Sequence, residues 1–291
     1  MSAQPSQEPA PRWRARLELQ FECQDARTRL THRSHQGPLL VQRAFYPESP
    51  ADSALGIAEP CHVYIIHPPG GVVSGDELTL TAEVRSHAHA LLTTPAAGKF
   101  YRQRDVSVAS LTQALRVDDG ILEWLPQENI YYPDAVVELR TVARLRGTAR
   151  FIGWEIGCLG LPANARSLSD GRVRQCFELW CDDAPMLLER VSIDRSCLAA
   201  RWGLAGRVAL GTMLAFPAQA QHLECARATA AQCAAKYPQL QLACTLVDKT
   251  LCCRGYAARA DRLKQAFIDI WSALRPELLG RRPERPRIWM T

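Results

Sequence analysis

Hydrophobic and polar residues alternate along the early chain. Trp13, Ala15, Leu17, Leu19 and Phe21 are interleaved with Arg14, Arg16, Glu18 and Gln20. A period of two puts every second side chain on one face of an extended backbone, so the segment predicts a half-buried strand. The alternation returns in Leu78, Leu80, Ala82 and Val84, set between Thr79, Thr81 and Glu83. Shorter strand candidates lie at 61–67, 88–94, 106–117, 121–125 and 136–145, then at 150–156, 173–180, 186–193, 208–216 and 240–247. Turn formers separate them, among them Pro68-Pro69-Gly70-Gly71, Asp118-Asp119-Gly120, Asp170-Gly171 and Asp182-Asp183-Ala184-Pro185. No helical period interrupts the series before residue 217. The pattern predicts a mainly β protein, a large antiparallel multi-strand structure, and argues against a βαβ enzyme.

Two helices are predicted near the C-terminus. Residues 219–236 are Ala-rich, with Leu223, Ala226, Ala230 and Cys233 on one stripe. In 258–274, Leu263, Phe267, Ile270, Trp271 and Leu274 recur at three- and four-residue steps, and Pro276 is expected to close the helix. Residues 1–12 read as a disordered, Pro-rich tail and 13–291 as a single domain.

Composition narrows the function classes. Of 291 residues, 47% are hydrophobic and 22% charged, as in an ordinary folded domain rather than a disordered chain. No apolar run approaches the roughly 20 residues that span a bilayer, and the start lacks the apolar stretch of a secretory signal. A cytoplasmic protein with no membrane contact is expected. Net charge is +5, and only four basic residues are lysines (Lys99, Lys236, Lys249 and Lys264). The arginines are scattered and mostly alternate with apolar residues, which fits solvated strand faces better than a nucleic-acid stripe. The eleven cysteines include no Cys-x-x-Cys, so they read as small buried hydrophobes.

Candidate chemistry is sparse. The turn from His67 to Glu77 is rich in Gly and Pro and places Asp76 at its exit, but it lacks the lysine and following helix of a phosphate loop. Gly98-Lys99 is followed by Phe100 instead of a hydroxyl residue, so that match also fails, leaving Lys99 and Arg102 as candidate carboxylate anchors. Glu123, Glu128, Glu155 and Glu189 stand beside aromatic or aliphatic neighbours, where a carboxylate is costly unless paired or ligating. By strand parity Glu155 shares a face with Phe151, and Glu189 with Leu187 and Val191, so either can point inward. An arginine such as Arg190 is the expected partner of an inward acid. His62 and His67 flank one strand candidate, and His87-x-His89 would place two imidazoles on one face, a weak clip for nickel or zinc. Motifs for nucleophilic catalysis and dinucleotide binding are absent.

Several stretches in register carry a resemblance. They are Gly37-Pro38-Leu39-Leu40-Val41-Gln42-Arg43, Phe45-Tyr46-Pro47, His67-Pro68-Pro69-Gly70-Gly71 leading to Gly75-Asp76, and Lys99-Phe100-Tyr101-Arg102. Glu123-Trp124-Leu125-Pro126-Gln127-Glu128, Tyr131-Tyr132-Pro133, Gly157-Cys158-Leu159-Gly160, Leu187-Leu188-Glu189-Arg190 and Pro286-Arg287-Ile288-Trp289 follow. In this order they resemble the urease accessory protein family UreD, also called UreH, over 13–291. The resemblance implies a β-helix-like fold with two C-terminal helices and no enzymatic activity. It also implies a scaffold between apo-urease and a UreF-like accessory protein, which carries a UreG-like GTPase. Nickel would pass in transit through an internal polar passage, with no permanently bound cofactor.

Carried over residue by residue, that passage would involve Asp76, Gly98 (a serine in relatives), Lys99, Glu155 (an aspartate in some) and Glu189; His62, His67, His87 and His89 stay a weak metal reading from the residues alone. Two other readings compete. One is a β-rich hydrolase with a Glu155/Glu189 acid–base pair, which needs both carboxylates in one compact pocket. The other is a plain interaction module with no metal route.

Overall fold

A computed structural model describes residues 12–49 and 58–290. The tail expected over residues 1–12 thus lies outside the described residues except for Arg12, whose guanidinium donates to the Ser107 hydroxyl at 2.6 Å. The chain winds between two stacked sheets. One contains, in spatial order, β14 (Ala184–Ile193), β13 (Arg172–Cys181), β11 (Val136–Arg146), β8 (Ala109–Asp118), β5 (Glu77–Val84), β1 (Arg14–Gln24) and β2 (Arg27–Gln36). The other runs β16 (Gln241–Val247), β17 (Thr250–Ala257), β15 (Ala209–Phe216), β12 (Arg150–Leu159), β9 (Ile121–Trp124), β6 (His89–Thr93), β4 (Cys61–Ile66) and β3 (Leu40–Val41). Two short strands, β7 (Gly98–Phe100) and β10 (Asn129–Tyr131), pair with each other, and β10 also pairs with β12.

The centre of both sheets is parallel. β1, β5, β8, β11 and β13 stack in one, and β4, β6, β9 and β12 in the other. Each coil therefore crosses from one sheet to the other instead of folding back on itself, which makes the body β-solenoid-like. The antiparallel pairing expected from the short strands is confined to the margins: β1 with β2, β3 with β4, β13 with β14, and the run β12–β15–β17–β16. A period of two fixes which side chains face inward and is silent on which strand lies alongside.

The coils are lopsided. Turns at 85–88, 119–120 and 147–149 are tight, with His87, Asp119 and Gly147 at φ of 63°, 48° and 61°. They stack through His87 N–H to Asp119 O (2.9 Å) and Asp119 N–H to Arg146 O (3.2 Å). The opposite side carries the long connections 67–76, 94–108, 125–135 and 160–171.

Inward columns of the two sheets make one core, including Leu17, Phe21, Leu80, Leu115, Trp124, Phe151 and Phe177. The outward face of the second sheet makes another, covered by α2 (Ala220–Lys236) and α3 (Ala260–Leu279) and including Leu91, Ile121, Ile152, Trp154, Phe267 and Trp271. The helix expected to close at Pro276 runs on to Leu279 and ends at Gly280, left-handed at φ 68°. Burial of Arg275, Leu278 and Leu279 on both sides of Pro276 outweighs the lost hydrogen bond. A third helix, α1 (Arg195–Ala199), is short and capped by Asp194, which accepts the Cys197 N–H at 2.9 Å. Strand β2 shows no alternation because only its second residue, Thr28, is buried; it is a polar edge zipped to β1. The eleven cysteines are all free and buried or half-buried.

Phe267 is fully buried against Trp154, so Phe267→Ala should lower the unfolding free energy by about 3–5 kcal/mol in urea titration. Leu223→Ala, on the half-buried α2 stripe, should cost clearly less.

Candidate functional site

The lopsided coils leave a gap on their long-turn side. Beneath the turns 67–72 and 94–99, and between the inward faces of both sheets, lies a cavity of about 400 Å³. Its walls are mostly apolar, with Leu78, Leu80, Leu111, Phe100 and Trp124 among them. Four of the residues singled out in the sequence line it: His67, Gly98, Lys99 and Glu155.

Glu155 is the polar centre of its inner wall. Parity on β12 turns it inward, and 1% of it is exposed. Its Oε1 accepts from the Trp124 indole N–H at 3.0 Å and from the Thr141 hydroxyl at 2.7 Å, whereas Oε2 is buried with no partner among the described residues. Both donors are neutral, so they only partly offset burial, and the carboxyl is raised from its ordinary 4.5 to about 7. The Thr141 hydroxyl also lies 2.5 Å from Gln113 Oε1. One hydroxyl proton cannot serve two acceptors, so a protonated Glu155 completes a chain through Thr141 to Gln113.

At the mouth, His67 has a buried Nε2 without a partner among the described residues, and burial lowers its pKa against the opposing pull of Asp76. A neutral imidazole with an open nitrogen is a competent metal donor. Lys99 stands on β7, its backbone fixed by the Val72 N–H to Lys99 O bond at 2.8 Å. At Gly98 a Cβ would run into the Asn129 amide oxygen, so a side chain there needs Asn129 to move.

Other candidates fall elsewhere. Asp76 is buried and closes its own turn: Oδ1 accepts the Trp13 N–H at 3.0 Å and Oδ2 the Val73 N–H at 2.9 Å. Glu189 borders a separate crevice of about 10 Å³. It accepts from the Thr212 hydroxyl at 2.6 Å and from Arg254 at 2.6 and 2.7 Å; Arg190, the expected partner, lies 3.7 Å from Glu178. Thr212 is the cross-strand partner of Glu155, so it stands between the two acids. The second carboxylate is thus tied to a guanidinium outside the cavity, which removes the geometric basis for an acid–base pair.

The histidines divide as well. His87 is exposed in a tight turn while His89 is fully buried, so they share no strand face. His62 and His89 lie on the far side of the second sheet, their Nε2 atoms 2.7 Å from Glu48 and Glu123. Arg275 bridges both acids at 2.6 and 2.8 Å, and the Trp271 indole N–H donates to Glu123 at 2.5 Å. The Arg275 charge outweighs the burial penalty and holds Glu123 far below the carboxylate range. This network anchors α3. No group of three or more potential metal ligands occurs among the described residues.

Two residues not singled out support Glu155: Gln113, which lines the cavity, and Thr141, which hydrogen-bonds both. Gln113 and Thr141 are cross-strand partners at inward positions of β8 and β11, between apolar neighbours. A polar residue at an inward parity was the available signal.

Stacked parallel coils around a chamber, with a carboxyl oxygen unsatisfied among the described residues, define a β-solenoid protein with a polar-centred internal cavity. No helix among the described residues is long and apolar enough to cross a membrane. The family model described as UreD urease accessory protein matches residues 14–290, and the chain belongs to that family. Urease accessory protein UreD of Escherichia coli is 39% identical over 285 residues, covering 96% of this chain and 97% of that protein. The UreD proteins of Marinomonas sp. (strain MWYL1) and Klebsiella aerogenes are 38% and 36% identical, with 97% and 96% of this chain and 91% and 97% of theirs covered.

Glu155 makes stability depend on pH. Its folded pKa lies above the unfolded one, so the folded state keeps a proton that the unfolded chain has lost between 4.5 and about 7. The contribution is fully present below pH 4.5 and declines by about 3 kcal/mol as pH rises through 7. Glu155→Gln should abolish that decline, gaining on the wild type between pH 5 and pH 8 in urea titrations.

Proposed function

We propose that the chain serves urease maturation as a non-catalytic scaffold in the cytoplasm. It holds apo-urease together with a UreF-like accessory protein, which brings a UreG-like GTPase. Nickel in transit crosses the chain through the inter-sheet cavity on its way to the urease active site. Family membership supports the accessory role, and the observation that carries the conduit is Glu155, a carboxyl titrating near neutrality in an otherwise uncharged inner wall.

Such a group can take a divalent cation by giving up its proton and take the proton back when the ion leaves. Nickel accepts carboxylate oxygen, imidazole and water. His67 at the mouth and Glu155 within offer one donor each, with the remaining positions left to water. That is enough to attract the ion and too little to retain it. Beyond Glu155, the Thr212 hydroxyl leads to Glu189, whose oxygens are held by Thr212 and Arg254 outside the cavity. Asp76 contributes by shaping the mouth, since both its oxygens hold backbone amides. The paired arginines of the outer sheet face, such as Arg116 with Glu83 at 2.8 Å and Arg174 with Glu138 at 3.2 Å, favour a solvated surface over nucleic acid.

The test is co-expression of the chain with its urease subunits and accessory proteins. Glu155→Gln keeps the shape and removes the titrating oxygen. The complex should co-purify as before while nickel per urease falls several-fold by elemental analysis. Undiminished nickel in an assembled complex contradicts the conduit, and failure to retain any urease subunit contradicts the scaffold.

A further inference from the structure

Two motifs have no part in the cavity's chemistry beyond Lys99. Phe100 and Tyr131 are register partners in the parallel pair β7–β10, so Tyr101 and Tyr132 leave the two strands side by side. Their rings meet edge to face at 4.8 Å. With Pro133 they line a second, open cleft of about 280 Å³ whose remaining walls are Arg102, Arg104 and Arg166. Three arginines from two separate turns thus border one cleft. Among the described residues none of the three stands in an ion pair, in contrast to Arg116, Arg140 and Arg174. The acids nearest in sequence are engaged elsewhere. Asp105 accepts the Ser107 N–H at 2.8 Å and lies 4.0 Å from Arg12, and Asp134 accepts the Asp170 N–H at 3.2 Å.

Like charges gathered without counter-charge on tyrosine walls suit an anionic partner: guanidinium pairs bidentately with carboxylate, and Arg and Tyr are the side chains that dominate interface energies. Val106, two residues beyond Arg104 on the same connection, is 95% exposed and offers an apolar contact at the rim of the cleft. We propose that this cleft docks an acidic, extended segment of a partner protein, carrying two or more carboxylates and an aliphatic residue to meet Val106. A chain fits better than a free small anion. The three arginines are on exposed side chains, and the ring and proline surfaces give a polypeptide something to lie on. The cleft also shares a wall with the cavity, since the Tyr101 ring fills the space that a Cβ on Gly71 would need. A docked acidic segment therefore brings negative charge to the mouth where Lys99 stands, easing access for a cation.

The docking site goes beyond the scaffold reading by naming a surface and a chemistry. Its test uses neither urease nor nickel, so its failure is distinct from failure of the conduit. The full chain is titrated against a fluorescent peptide of alternating Asp and Glu around one Leu, at low salt, with anisotropy as readout. The triple variant Arg102→Gln/Arg104→Gln/Arg166→Gln should bind about tenfold more weakly or worse. The charge-matched variant Arg16→Gln/Arg33→Gln/Arg201→Gln should stay close to wild type. Melting curves check that both fold, and Arg104→Gln alone, at an exposed position, should already show a several-fold loss. Equal losses in the two triple variants would reduce the effect to net charge and overturn the proposal. Displacement of the peptide by pyrophosphate at equal concentration would overturn it in favour of a small-anion site.

Discussion

Parallel coils in strict register decide where each ionisable group of this protein sits. Once β6, β9 and β12 stack, residues one apart in sequence are committed to opposite faces of the sheet for its whole width. Odd and even positions thereby receive different solvents. One face meets the other sheet and a chamber, and the other meets two helices. The same stacking forces the crossings to one side or the other. Short turns pile up on one edge and long connections on the opposite one, and the chamber and its rim are built from those long connections.

Two glutamates show what that commitment does. Glu123 and Glu155 belong to neighbouring strands of one sheet and are equally buried. Glu123 faces α3, where Arg275 meets it, and the full charge pair holds the carboxyl ionised in a structural joint. Glu155 faces the chamber, where its partners among the described residues are an indole and a hydroxyl, both neutral, and its proton is held near neutrality. The difference between anchor and candidate functional group is one of countercharge, with depth of burial held equal.

Much of this is readable from the residues. The alternation at 13–21 and 78–84 marks β1 and β5 and their buried faces, and the stripe ending at Leu274 marks α3. The inward placement of Glu155 follows from its parity with Phe151. Strand partners are not readable, because parallel and antiparallel neighbours leave the same period-two trace. Glu189 looked equivalent to Glu155 by parity, yet its fate depends on Arg254, which lies 65 residues away in sequence. His62 and His89 carry nothing local that separates a ligand from a wired imidazole; Glu48 and Glu123 hold their Nε2 atoms. Contacts of that span leave no local pattern, and they separate a wired residue from an open one.

The proposed conduit requires the chamber to admit a divalent ion to an oxygen donor on its inner wall. The direct measurement is anomalous diffraction at the nickel absorption edge, on crystals of the chain soaked in a nickel salt above pH 7.5, where the Glu155 carboxyl is mostly ionised. A nickel peak inside the cavity within coordination distance of Glu155, missing from Glu155→Gln crystals, is the result predicted. Nickel bound only at exposed histidines such as His87, with the cavity free of metal, would contradict it.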